Sequence, residues 1–189
     1  MKLFAVKTEE EKLVQGCAKG RPQYQEALYN KYYRKMFGVC LRYTSNRETA
    51  EDVLQDSFIK IFKKIGSFSG KGSLEGWIRR IMVNTALEHH RKQRNMYPIV
   101  DMDFALDADA GHDIIADMSR DEILEIIQKL PPGYRTIFNL YAIEGYNHRE
   151  IGKKLGISEG TSKSQLARAR KTLQDNIHHL KKDLYEKTK

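Results

Sequence analysis

"NHREIGKKLGISEGTSKSQLARARKTL", residues 147–173, decides how the C-terminal part of the chain folds. Asn147 followed three residues later by Glu150 has the spacing of a capping box, so a short helix is expected from residue 148. Gly156 supplies the left-handed residue that ends it without a Cβ penalty, and Ser158 caps the next helix after a three-residue turn. Two helices meeting across so short a turn have the chemistry of a helix-turn-helix. Ile151, Leu155 and Ile157 can pack beneath Leu166, Ala169 and Leu173. That leaves Lys163, Ser164, Gln165, Arg168 and Lys171 on or beside the outward face of the second helix, where they can donate to phosphates and base edges in a major groove. The competing reading is a helical hairpin with a solvated basic face that docks other proteins.

Working outward, helix signals dominate. Apolar residues recur at three and four residue spacing from residue 9 onward, and no sustained period-two run occurs, so the fold is expected to be all-α. The cap-plus-Glu spacing repeats at Thr8 with Glu11, Ser45 with Glu48 and Ser119 with Glu122. Helices are predicted near 9–19, 23–43, 46–65 and 73–94, and again near 119–130, 133–143, 148–155 and 159–180. Between the two sets lies NMYPIVDMDFALDADAGHDIIADM, with Pro98, Gly111 and six Asp but no Lys or Arg. It reads as an extended acidic tether, and its length disfavours a surface loop within one domain. The expected organisation is two small helical domains, 1–95 and 119–189, joined by an acidic flexible linker at 96–118, with the helix-turn-helix in the second.

The formal net charge of +8 makes a polyanion or an acidic protein surface the natural partner class. Only two cysteines occur, Cys17 and Cys40, both inside helical patterns, which does not resemble a disulfide framework. The short apolar run Leu3 to Val6 falls short of a signal-peptide core, and no stretch approaches a membrane span, so a soluble intracellular protein is expected. His89 with His90 and His178 with His179 are adjacent pairs that diverge on a helix, so no metal site is expected. Without CxxC, HExxH, a Walker loop or a nucleophile elbow, neither enzyme activity nor a cofactor is expected.

Two further helices carry candidate surfaces. In ETAEDVLQDSFIKIFKKI, the residues Ala50, Val53, Leu54, Phe58, Ile61, Phe62 and Ile65 form one buried stripe. The opposite face reads Asp52, Gln55, Asp56, Ile59 and Lys63. The apolar Ile59 suggests a partner surface, whereas acidic residues near a helix start also follow from the dipole alone. In the helix at 73–94, Trp77, Ile78, Ile81, Met82 and Thr85 are expected inward. Arg80, Asn84, Leu87, Arg91 and Arg94 follow at helical spacing on another side and suit a phosphate backbone, with Asn84 at a base edge. A basic solvated helix end is the bland alternative.

Together these pieces resemble the extracytoplasmic-function (ECF) class of bacterial RNA polymerase sigma factors, over about residues 10–175. AEDVLQDSFIKIF looks like the family's polymerase-clamp-binding helix. FSGKGSLEGWIRRIMVNTALEHHRK looks like its promoter-melting loop and -10 reading helix. LPPGYRTIFNLYAIEGYNHREIGKKLGISEGTSKSQLARARKTL looks like its -35 reading domain. The resemblance implies a non-catalytic subunit that directs transcription initiation with core RNA polymerase and promoter DNA as partners. It also implies a cytoplasmic protein with an anti-sigma factor that can hold it at the inner membrane face, and a tether that threads into the polymerase.

By that resemblance, Asp52, Gln55, Asp56 and Ile59 face the polymerase. Phe68, Lys71 and Ser73 lie in the loop that holds an unstacked base, with Arg80, Asn84, Arg91 and Arg94 beside the -10 element. Lys163, Ser164, Gln165, Arg168 and Lys171 face the -35 groove. The chain departs from the family pattern at Ser162, where a branched apolar residue is frequent and a serine is expected to weaken packing. It departs again at Gln165 and Val83, where Arg is frequent, and at Gly72, which thins the loop. The rivals are a LuxR-like regulator that binds DNA without joining polymerase, whose regulatory domain would show absent βα alternation, and a helical protein-docking adaptor.

Overall fold

The computed structural model describes residues 8–96 and 119–187; of the expected linker at 96–118, Met96 ends a helix and the rest lies outside the described residues. The described residues are helical throughout, with eight α-helices, one short 3-10 turn and one π turn among them. They fall into two compact units: one holds the chain to Cys40 and from Arg47 to His89, the other Leu41–Asn46 and the chain from His90.

In the first unit α1 (Glu9–Ala18), α2 (Pro22–Tyr43) up to Cys40, α3 (Arg47–Lys64) and α4 (Leu74–Met96) up to His89 surround one apolar core. Thr8 and Glu11 form the predicted capping box of α1. Helix α3 starts at Arg47, which leaves Ser45 one residue too early for the predicted cap. Tyr24 lies so close on α1 that a Cβ at Gly16 would fall 2.1 Å from its ring, and the Cys17 thiol donates to the Tyr24 carbonyl oxygen. Core side chains include Leu28 and Met36 of α2, Leu54, Phe58 and Ile61 of α3, and Ile78, Met82 and Leu87 of α4. The predicted α3 stripe is therefore the buried one, except that Phe62 is half-buried.

Helix α4 departs from expectation. Ile78, Met82 and Thr85 are buried as predicted, but Trp77 and Ile81 are only half-buried, and Val83, Ala86 and Leu87 are buried as well. Leu87, read as a member of the outer basic stripe, is 2% exposed. Helix α4 is covered on a wide arc, wider than an amphipathic pattern of one inward stripe implies.

In the second unit α5 (Arg120–Lys129), α6 (Pro132–Phe138) and α7 (His148–Leu155) pack against the long α8 (Glu159–Lys187). Capping boxes form at Ser119 with Glu122 and at Asn147 with Glu150, as their spacing predicts. The helix expected over 133–143 instead widens after Phe138 into a π turn, Asn139–Ile143, whose closing bond runs from the Glu144 amide to the Asn139 carbonyl at 2.9 Å. Arg135 is buried without a carboxylate beside it; its Nη1 donates to the Gln128 carbonyl at 2.8 Å, and burial pulls its pKa down. Ile137, Leu140, Ile151, Leu166, Ala169 and Ile177 complete the core.

Candidate nucleic-acid and partner surfaces

The corner between α7 and α8 is built from local chemistry. Gly156 ends α7 at φ 70° and ψ 37°, inside the left-handed region. The turn folds so tightly on α7 that a Cβ at Gly152 would stand 2.8 Å from the Ile157 carbonyl oxygen, while the Ile157 amide donates to the Gly152 carbonyl. Ser158 Oγ accepts from the Thr161 amide at 2.9 Å and so opens α8.

On α8, Lys163, Ser164 and Lys171 are exposed, while Gln165 and Arg168 are half-buried. Lys163 pairs with Glu159 at 2.8 Å, and that hydrogen bond is the first cause of the lowered Glu159 pKa. An exposed pair of this kind contributes little to stability. The Ser164 hydroxyl donates to the Thr161 carbonyl at 3.1 Å. Gln165 turns toward α6: its Oε1 would lie 3.3 Å from a Cβ at Gly133. Lys163, Ser164 and Lys171 thus form the open part of the predicted set, with Arg168 at its edge and Gln165 against the domain body.

Ser162 is fully buried, as its place on the inward stripe requires, but its packing does not suffer in the way a lone hydroxyl among hydrocarbon would. Its Oγ meets His148 Nδ1 at 3.0 Å. The His148 ring stacks on Tyr141 with centroids 4.6 Å apart, and the Arg170 guanidinium also lies over the Tyr141 ring, 5.8 Å from its centroid. Tyr141, His148 and Arg170 were not legible as a group. The signal available was Ser162 itself, since a polar residue on a buried stripe calls for a partner.

In the first unit Asp52, Gln55 and Asp56 are exposed on α3, and Ile59, next along the same face, is 51% exposed. Phe68 is half-buried and packs against Trp77 with ring centroids 5.7 Å apart. Ser73 caps α4 by accepting the Gly76 amide at 3.0 Å, and Lys71 is exposed beside it. Gly70 and Gly72 take φ 72° and 89°, so the glycine that thins the loop is needed by its backbone. Arg80 and Arg91 are exposed and Asn84 is half-buried; Arg94 lies in α4, with its side chain outside the described set. Among the described residues no cluster of His, Cys, Asp and Glu could hold a metal ion, and no helix is long and apolar enough to cross a membrane.

A helix-turn-helix with an exposed basic face on its second helix, accompanied by a second helical unit, defines a helix-turn-helix DNA-binding class of protein. The family model of Sigma-70 region 2 matches residues 28–96, and that of Sigma-70, region 4 matches residues 120–173. The chain is 30% identical to the RNA polymerase sigma-H factor of Pseudomonas aeruginosa, over 91% of this chain and 95% of that protein. It is also 30% identical to the ECF RNA polymerase sigma-E factor of Haemophilus influenzae, over 94% of this chain and all of that one, 100%. In fold it is similar to the sigma factor RpoE of Bartonella quintana, solved in complex with the anti-sigma factor NepR, at TM-score 0.50 and 20% identity, over 81% of this chain and 96% of that one. The chain belongs to the ECF sigma factors, the alternative sigma factors of bacterial RNA polymerase.

Proposed function

We propose that this sigma factor works as a non-catalytic specificity subunit whose two ends grip different targets. Asp52, Gln55, Asp56 and Ile59 of α3 dock on core RNA polymerase. The loop with Phe68, Lys71 and Ser73, together with Arg80, Asn84, Arg91 and Arg94 of α4, opens and reads the -10 element. Lys163, Ser164, Arg168 and Lys171 of α8 read the -35 duplex, with Gln165 at the edge of that face. Residues 1–95 and 119–189 act as separate domains, and the acidic segment 96–118 tethers them. Two weak DNA surfaces on one tether gain from effective concentration once polymerase sets their spacing, so the free chain binds promoter DNA poorly.

The observation that carries this reading is Ile59, 51% exposed one turn beyond Asp52, Gln55 and Asp56 on a helix whose other side is core. A large exposed aliphatic side chain beside two exposed carboxylates and an amide suits an interface, whose centre is apolar and whose rim is polar. The relative solved with an anti-sigma factor supports an inhibitory protein partner for this chain too, and a cytoplasmic site of action follows from work on the chromosome.

The test is transcription reconstituted from purified core polymerase, this chain and a genomic DNA library, with start sites mapped. Recurrent starts downstream of a shared two-part element are expected; transcripts unchanged by adding the chain would refute the reading. Asp56→Arg should abolish capture of core polymerase while circular dichroism stays unchanged, since Asp56 is exposed. An undiminished pull-down would remove α3 from the polymerase contact.

A further inference from the structure

The group around His148 is not needed to make a helix-turn-helix, yet side chains from two other elements, the π turn and α8, converge on it. Tyr141 reaches it from the π turn, Ser162 from the first turns of α8, and Arg170 closes over Tyr141 from further along α8. The π turn is the feature that brings Tyr141 here: widening the helix by one residue re-aims the side chains that follow. We propose that His148 is a positioning residue for the DNA-reading helix: stacked on Tyr141 and bonded to buried Ser162, it sets the first turn of α8 on α7 and places a titratable ring beside Lys163. This rests on the reading of α8 as the -35 reader.

The linkage follows from the neighbours. Lys163 and Ser164 come directly after Ser162, so whatever holds Ser162 also holds the first two side chains that meet DNA. A neutral imidazole can accept the Ser162 hydroxyl proton at Nδ1, and an imidazolium can donate to the same oxygen, so the contact survives in either charge state. What changes is the charge beside Lys163. In the free protein, burial first, then Lys163 and Arg170, disfavour the imidazolium, with Glu159 alone opposing them, and the His148 pKa is lowered. Tyr141 and Ser162 face it as neutral groups.

A phosphate seated at Lys163 reverses that balance. It screens the lysine and adds negative charge, which raises the bound-state pKa above the free one. Duplex binding therefore takes up a proton. Affinity is fully enhanced below the free-state pKa, and the gain is lost as pH rises through the bound-state pKa.

The experiment uses the full chain bound to core RNA polymerase and a labelled duplex carrying only the mapped upstream element, titrated at pH ~6 and pH ~8. Wild type should bind about fivefold more tightly at the lower pH, the small end of a coupling between two sites. His148→Asn keeps a hydrogen-bonding atom near the Nδ1 position but cannot titrate; it should hold the high-pH affinity within about twofold and lose most of the pH gain. His148→Ala and Ser162→Ala should each weaken binding, and the double variant should be no weaker than the poorer single one. An undiminished pH gain in His148→Asn, or additive losses in the Ala pair, overturns the proposal. A holoenzyme that ignores the upstream duplex at every pH overturns it together with the -35 assignment, whereas tight binding with no His148 effect overturns it alone.

Discussion

Helices α4 and α8 look alike in sequence and differ in the folded protein. Each carries basic residues at helical spacing, and each reads as a stripe for a phosphate backbone. On α8 the buried positions, Ser162, Leu166, Ala169 and Ile177, occupy one side, and Lys163, Ser164 and Lys171 are exposed opposite them. On α4 the stripe from Arg80 to Arg91 is broken, because Leu87 and Val83 are buried and Asn84 is half-buried. A helix on the outside of a three-helix corner presents a continuous face. A helix covered on a wide arc presents only a narrow strip, here Arg80, half-buried Asn84, Glu88 and Arg91, in which an acid stands between the basic residues.

The strongest way to break this comparison is Leu87→Arg, which completes the basic stripe read from spacing. It should cost about 3–5 kcal/mol, because it places an unpaired charge in a fully buried site. A clear fall in the melting temperature of the first unit is expected; an unchanged melting curve with tighter DNA binding would restore the continuous stripe. Next in size, Arg168→Ala should lose about 1–3 kcal/mol on the preferred upstream duplex and much less on random DNA. Equal losses on both would reduce Arg168 to a phosphate contact.

The smallest effect expected is for Ser162→Val. A serine replacing an apolar residue looks like a packing defect that valine would repair. With the hydroxyl bonded to His148 and no exposed surface, valine instead removes a hydrogen bond worth about 1 kcal/mol and adds volume to a filled site. Thermal melting should show a modest decrease, and an increase would mean that the His148 contact contributes nothing to stability.

How much was legible depended on how local the physics was. The capping boxes at Thr8, Ser119 and Asn147 and the left-handed Gly156 were readable because each involves residues within one or two turns of each other. The box at Ser45 failed by one residue, since α3 begins at Arg47, and the π turn at 139–143 was read as plain α-helix because an i to i+5 bond leaves no mark in apolar spacing. Inward stripes of α3 and α8 were also readable apart from half-buried Phe62 and Leu173, since both helices bury a single side. Leu87 was misplaced because burial from a second direction depends on neighbours distant in sequence, and Gln165 turned toward Gly133 for the same reason.

The order of helices, their caps, the turn at Gly156 and the opposite charge of the α3 and α8 outer faces were determined by the sequence alone. Each follows from backbone hydrogen bonding and side-chain periodicity over a few residues. Tertiary structure decided which basic side chains remain open, what partner satisfies Ser162, and that Tyr141, His148 and Arg170 meet. Those outcomes depend on which surfaces come into contact once the helices pack, and periodicity along one helix carries no record of that.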